Sequence, residues 1–397
     1  MHTIVPEKAD VSSSRLARIH TVMQSYVDQG KLPGAVTMIS RHGQLVHAEG
    51  FGMRDVKAKK PMQLDTLFPI FSMTKPITAV AMMILYEEGR FQLFDPLSKF
   101  IPGFKDVKVA LKATEGEIQL TALEREITIQ DLLTQTSGLV SGSWLTPPLA
   151  KLVEEIGLHC RENTLQEITQ KLSKLPLIHQ PGKAWRYGDS PEVLGYLVEL
   201  ISGMTFDAFL KQRIFEPLSM IDTGFGIPEE QHDRLARLYG FSEAGDFEEK
   251  VEFDPWLIPS SIPRGGFGLV STAPDYLRFA QMLLNKGELN GERILSRKTV
   301  ECMTRNHLPK DLIPMELYPG GFIHGYGYGF LFGVLMDAVQ ARLLGSEGEF
   351  YWGGLSTIFW IDPVEDLFAL LMTRLEYPHH LPFYYNFRTL TYQAISD

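Results

Sequence analysis

The apolar positions of this chain change period along its length, and those changes divide it. Over residues 11–30, Leu16, Ile19, Met23 and Val27 recur three or four apart, the spacing of one helical face. After Pro33-Gly34, Ala35-Val36-Thr37-Met38-Ile39 and Leu45-Val46 flank Arg41-His42-Gly43-Gln44, which reads as a β-hairpin across a glycine-bearing turn. From Ile77 through Leu85 only Thr78 is polar. That predicts a helix over 72–88, buried nearly all round and stopped by Gly89. A Lys- and Glu-rich passage from 105 to 126 reads as a solvated excursion. A short helix is predicted around Ile129–Thr134, ended by Thr136-Ser137-Gly138, and others over 191–202, 205–213, 274–286 and 296–304. The last hundred residues turn β-rich, with apolar runs at Phe332–Met336, Thr357–Ile361 and Leu367–Thr373. Asp362-Pro363-Val364-Glu365-Asp366 connects the last two as a hairpin.

β-Rich ends therefore enclose a helix-rich middle. The expected fold is α/β, of α+β type: an antiparallel sheet pairing N- and C-terminal strands, flanked by helices, with an inserted mostly helical lobe. The expected division is 1–82 plus 292–397 for the sheet domain and 83–291 for the lobe, with the site in the cleft between them.

Composition narrows the function more than the fold. The 397 residues are 44% hydrophobic and 22% charged, the mix of an ordinary globular protein. Lys plus Arg is 38 and Asp plus Glu is 48, a net charge of 38 − 48 = −10. Such a surface repels phosphate backbones and anionic lipids, so neither nucleic acid nor membrane is expected as a partner. Cys160 and Cys302 form no disulfide framework and no metal-ligand spacing. The longest apolar stretch, Ile77 to Leu85, is about half a membrane span. The first residues have no basic segment leading into an apolar one, so no signal peptide is expected and the expected location is cytoplasmic.

The candidate chemistry starts at Phe71-Ser72-Met73-Thr74-Lys75-Pro76. Pro76 lacks an N–H and fits a helix only near its first turn, so the helix begins at about Ser72. A three-residue offset puts Ser72 and Lys75 on one helical face, with a hydroxyl at the N-terminus and an amine in reach. Three marked loops follow: Tyr187-Gly188-Asp189-Ser190 before an apolar helix, Arg264-Gly265-Gly266-Phe267-Gly268, and Trp352-Gly353-Gly354-Leu355 before a strand.

In this order the motifs resemble those of the serine β-lactamase and penicillin-binding-protein superfamily, in its class C-like branch and closest to the family VIII carboxylesterases. The resemblance runs from about residue 15 to 375. Ser72-x-x-Lys75 matches the nucleophile motif, Tyr187-x-Asp189 the Tyr-containing motif, and Trp352-Gly353-Gly354 the place of Lys-Thr-Gly. Thr128 to Gly138 is similar to a further family segment, with Gln135 where His is common.

The resemblance implies Ser72, Lys75 and Tyr187 as catalytic residues. It implies the amides of Ser72 and Leu355 as an oxyanion hole, with Trp352, Gly353, Gly354 and Asp189 at the substrate. Trp352 stands where a lysine would face a substrate carboxylate, and Asp189 replaces an amide with a negative charge. Both favour a neutral ester, while Arg374 offers some compensating positive charge. The expected activity is a serine carboxylesterase for short- to medium-chain esters working through an acyl-enzyme. The alternatives are a β-lactamase or D-alanyl-D-alanine peptidase of the same fold, or a serine acyltransferase. A small-molecule ester is the expected partner of a monomer or small homo-oligomer, and no cofactor or metal is expected.

Other features read as structural. Gly266-Phe267-Gly268 and Gly325-x-Gly327-x-Gly329 lack a phosphate-loop context, and His379-His380 lacks a metal motif. The aromatic tail Tyr377, Phe383, Tyr384, Tyr385, Phe387 reads as packing on the sheet. Trp144, Trp256 and Tyr318 fall in loops fit to shape an acyl pocket or its rim.

Overall fold

Eight strands form one antiparallel sheet that joins the two ends of the chain. In chain order they are β1 (Gly34–Arg41), β2 (Gln44–Asp55), β3 (Lys60–Pro61), β4 (Tyr326–Tyr328), β5 (Gly333–Leu335), β6 (Phe350–Gly353), β7 (Thr357–Asp362) and β8 (Leu367–Thr373). Their order across the sheet is β4-β5-β6-β7-β8-β1-β2-β3. The computed structural model describes residues 2–114, 117–139, 145–242, 245, 247–250, 262–318, 320–376 and 381–397.

The sheet closes through β1 and β8, which pair from Ala35↔Thr373 to Arg41↔Leu367. Every residue of both strands is buried, which is why each reads as a nearly continuous apolar run rather than an alternating one. Side chains still alternate between faces. Val36, Met38, Phe368, Leu370 and Met372 enter one core, and Ala35, Ile39, Leu367, Ala369 and Leu371 the other. Helices α1 (Arg18–Asp28) and α6 (Phe383–Tyr392) cover the second face, where Phe383, Tyr384 and Phe387 of the aromatic tail pack while Tyr385 is exposed; Tyr377, His379 and His380 lie outside the described residues.

On the other face lie α2 (Thr74–Glu87) and α5 (Ala273–Leu284). Helix α5 falls in the segment expected to form the helical lobe, yet it packs on β1, β7 and β8. Its buried stripe of Tyr276, Phe279, Ala280 and Leu283 fits the sheet. Between these helices run α3 (Ile129–Leu133) and α4 (Ser190–Ser202), with α4 packed against both α2 and α3. The Lys- and Glu-rich excursion is a two-stranded hairpin, Val109–Thr114 with Glu117–Thr121. Among the described residues no single helix is long and apolar enough to cross a membrane. The stretches Ser190–Ser202 and Phe206–Phe215 reach that length only together and are bent by 79°.

Candidate active site

Ser72 lies in a 3-10 turn, Phe71–Met73, that runs straight into α2. Phe71, just before it, is held at φ 46°, a left-handed conformation that costs a non-glycine residue about 1–3 kcal/mol. The turn is tied on both sides: Ile70 N donates to Leu269 O at 2.9 Å, and Tyr276 OH to Met73 O at 3.1 Å. Lys75 follows one turn later on a helix buried from Thr74 to Leu85 and is itself 4% exposed. Its Nζ donates to Ser72 Oγ at 3.1 Å and to Gly266 O at 2.8 Å.

Tyr187 approaches from the loop ahead of α4. Its OH lies 2.5 Å from Ser72 Oγ, and Lys75 Nζ sits 4.5 Å from its ring centre. The loop rests on the segment 134–138. Gln135, at φ 58°, accepts the Arg186 amide on its carbonyl at 3.0 Å and the Gly188 amide on its Oε1 at 3.1 Å. One residue thus holds the amides of the residues on both sides of Tyr187. Gly182 N donates to Thr136 O at 2.8 Å, and the Ser137 and Ser190 hydroxyls pair at 2.7 Å. The segment singled out around Gln135 is therefore the bed of the tyrosine loop.

The third motif reaches the same place from the sheet. Trp352 is 5% exposed, and its ring stacks on that of Tyr187 at 5.8 Å and 29°. It backs the phenol and is shut off from solvent. Gly354 sits against the serine turn, where a Cβ would meet Ile70 O at 2.7 Å and Phe71 Cβ at 3.1 Å. The half-buried Leu355 follows at once, so the turns carrying the Leu355 and Ser72 amides are seated together.

Two carboxyl groups lie by Lys75. Asp189 Oδ2 is buried without a hydrogen-bond partner, and burial, opposed by Lys75, pushes its pKa up to about 7. Burial thus works against the negative charge that the sequence suggests for this group. The other group, Glu192, was not legible as a site residue. It stands in the first turn of α4, where an acidic side chain ordinarily complements the helix dipole, and nothing in its neighbours marks it otherwise. Here it is 4% exposed, and burial together with Asp189 pushes its pKa up to about 7. Its oxygens accept the amides of Gly265 and Gly266, so the glycine cluster expected only to form a loop borders the site.

Arg374 does not offer a free cation: it is 2% exposed and its Nη1 donates to Ala236 O at 2.5 Å. Tyr318 is exposed on the hairpin Met315–Tyr318/Gly321–Ile323, while Trp144 and Trp256 lie outside the described residues.

Comparison with known proteins agrees with this fold. Residues 19–390 match the family model described as Beta-lactamase. Protein Rv1367c of Mycobacterium tuberculosis is 35% identical over 350 residues, which are 87% of this chain and 86% of that protein. Esterase EstB of Burkholderia gladioli is 29% identical over 386 residues, 92% of each chain. The solved structure of EstCE1, described as a hydrolase with promiscuous acyltransferase activity, superposes with a TM-score of 0.80 at 25% identity and covers 96% of this chain and 99% of its own.

Proposed function

The chain is a serine hydrolase of the beta-lactamase family, and from that premise we propose that it is a carboxylesterase acting on short- and medium-chain esters through an acyl-enzyme on Ser72. One observation carries the proposal: Ser72 Oγ stands within hydrogen-bond reach of both Tyr187 OH, at 2.5 Å, and Lys75 Nζ, at 3.1 Å. Lys75 donates to that oxygen, and Tyr187 OH stands where it can accept the serine hydrogen. In the proposed reaction Ser72 Oγ bonds to the acyl carbon and its proton passes to the Lys75–Tyr187 pair. The tetrahedral adduct then breaks its bond to the alkoxy group, which leaves as the alcohol with that proton. Water attacks the acyl-enzyme by the reverse path and releases the acid. The amides of Ser72 and Leu355 are proposed to hold the oxyanion.

Esters are favoured over β-lactams because Trp352 occupies the place of a lysine and Arg374 is turned inward onto a carbonyl. A second reading, transfer of the acyl group to an alcohol, is favoured by the activity ascribed to EstCE1. Cys160 and Cys302 stand unpaired, which suits the reducing compartment we propose as its location, the cytoplasm.

Initial rates on p-nitrophenyl butyrate and on a chromogenic cephalosporin test this. Ser72→Ala is expected to abolish ester turnover, and turnover that survives it would sink the proposal. Lys75→Ala and Tyr187→Phe are each expected to lower kcat by about 10²–10⁴-fold, with the double variant little worse than the poorer single one. A larger kcat/KM on the cephalosporin would turn the reading to β-lactam hydrolysis. A new ester formed on adding an alcohol would establish the second reading.

A further inference from the structure

Two successive glycines after Arg264 are held from both sides. The amides of Gly265 and Gly266 donate to Glu192 Oε2 and Oε1 at 3.0 and 2.9 Å. The carbonyls of the same two residues accept from Thr78 Oγ1 at 2.6 Å and from Lys75 Nζ at 2.8 Å. Thr78 and Lys75 belong to α2 and Glu192 to α4, so four hydrogen bonds thread the loop between the helices. No side chain fits there. A Cβ on Gly266 would stand 2.8 Å from Glu192 Oε1 and 3.4 Å from Lys75 Nζ, and one on Gly265 would stand 1.9 Å from Pro191 O.

A carboxylate only 4% exposed is costly unless its oxygens are satisfied, and on an α4 turn lined by Val193, Leu194 and Leu197 the core has no need of one. Lys75 and Arg264 face it as cations, with Asp189 as a second carboxyl and His159 beyond. We infer that Glu192 is a positioning residue for Lys75: its two oxygens hold the amides of Gly265 and Gly266, and so seat the loop where the Gly266 carbonyl holds the amine at Ser72. It acts through the loop, not on the substrate, and the inference rests on the proposed role of Lys75 in activating Ser72.

The chemistry of the carboxylate supplies the test. Gln keeps one acceptor and turns an NH2 toward the other amide, while Asp keeps both acceptors on a shorter arm. For wild type, Glu192→Gln and Glu192→Asp, kcat and KM on p-nitrophenyl butyrate are measured beside the rate at which a fluorophosphonate labels Ser72, followed by intact mass, and beside thermal melts. Glu192→Gln is expected to lower kcat and the labelling rate together by about 10- to 100-fold, with KM within about threefold. Glu192→Asp is expected to fall between it and wild type.

A Gln variant with wild-type Tm that keeps both rates within about twofold, or loses only in KM, overturns the inference. If the Gln variant does not fold, an Asp variant labelled as fast as wild type overturns it equally. A wild type labelled at Ser72 that turns over no ester sinks the esterase reading alone, and the labelling ratio then decides on Glu192. A wild type not labelled at Ser72 overturns both.

Discussion

Asp189 and Glu192 are acids whose pKa values burial has raised to about 7, from ordinary values near 4. A raised carboxyl binds its proton more tightly in the folded chain than in the unfolded one. Its contribution to stability is therefore complete below about pH 4 and is lost as pH rises through about 7. Asp189→Asn removes that titration and meets no hydrogen bond at Oδ2 to break. Its Tm is expected to exceed that of wild type by a few degrees at pH 8, with the gap closing at pH 5. Melts that differ equally at both pH values would show that folding does not raise the Asp189 pKa. Ser72, Lys75 and Tyr187 could be singled out in the sequence because they sit in short motifs that follow one another in a family's order. Glu192 could not, since its partners lie 73 and 74 residues along the chain.

The elements divide in the same way. Helix α2 was readable because an apolar run with a single threonine leaves no face for solvent, and Pro76 places its start. Helix α5 was readable as a helix but not as a partner of the sheet, because an apolar stripe states that something covers it without stating what. The loop between α2 and α4 holds the sharpest case: its glycines read as turn formers, but they are there for want of space. Gly265→Ala puts a Cβ 1.9 Å from Pro191 O, so the loop must lift from α4 and carry the Gly266 carbonyl off Lys75. The expected result is a fall in both Tm and kcat. Gly224→Ala, with nothing within 4 Å and no left-handed backbone, is expected to match wild type in both. Equal behaviour of the two variants would refute the crowding argument.

Across the whole molecule, the sheet that joins the chain ends is scaffold, and the chemistry hangs from one face of it. Leu370→Ala empties a fully buried position at the centre of β8 and is expected to cost about 2–5 kcal/mol. Denaturant melts would read that loss, while kcat at 25 °C, corrected for the folded fraction, stays at the wild-type value. A matching drop in kcat would mean that the sheet is coupled to the site beyond holding it up. The sequence by itself determined the α/β class, the antiparallel pairing of the two ends and the order of three motifs, because apolar period and short-range motifs are local properties of a chain. Only the tertiary structure decided that Gln135 holds the amides of both neighbours of Tyr187, that Trp352 backs the phenol, and that Glu192 grips the loop under Lys75. Those contacts join residues far apart in sequence, where charge, aromaticity and glycine content state what a residue can do but not what it meets.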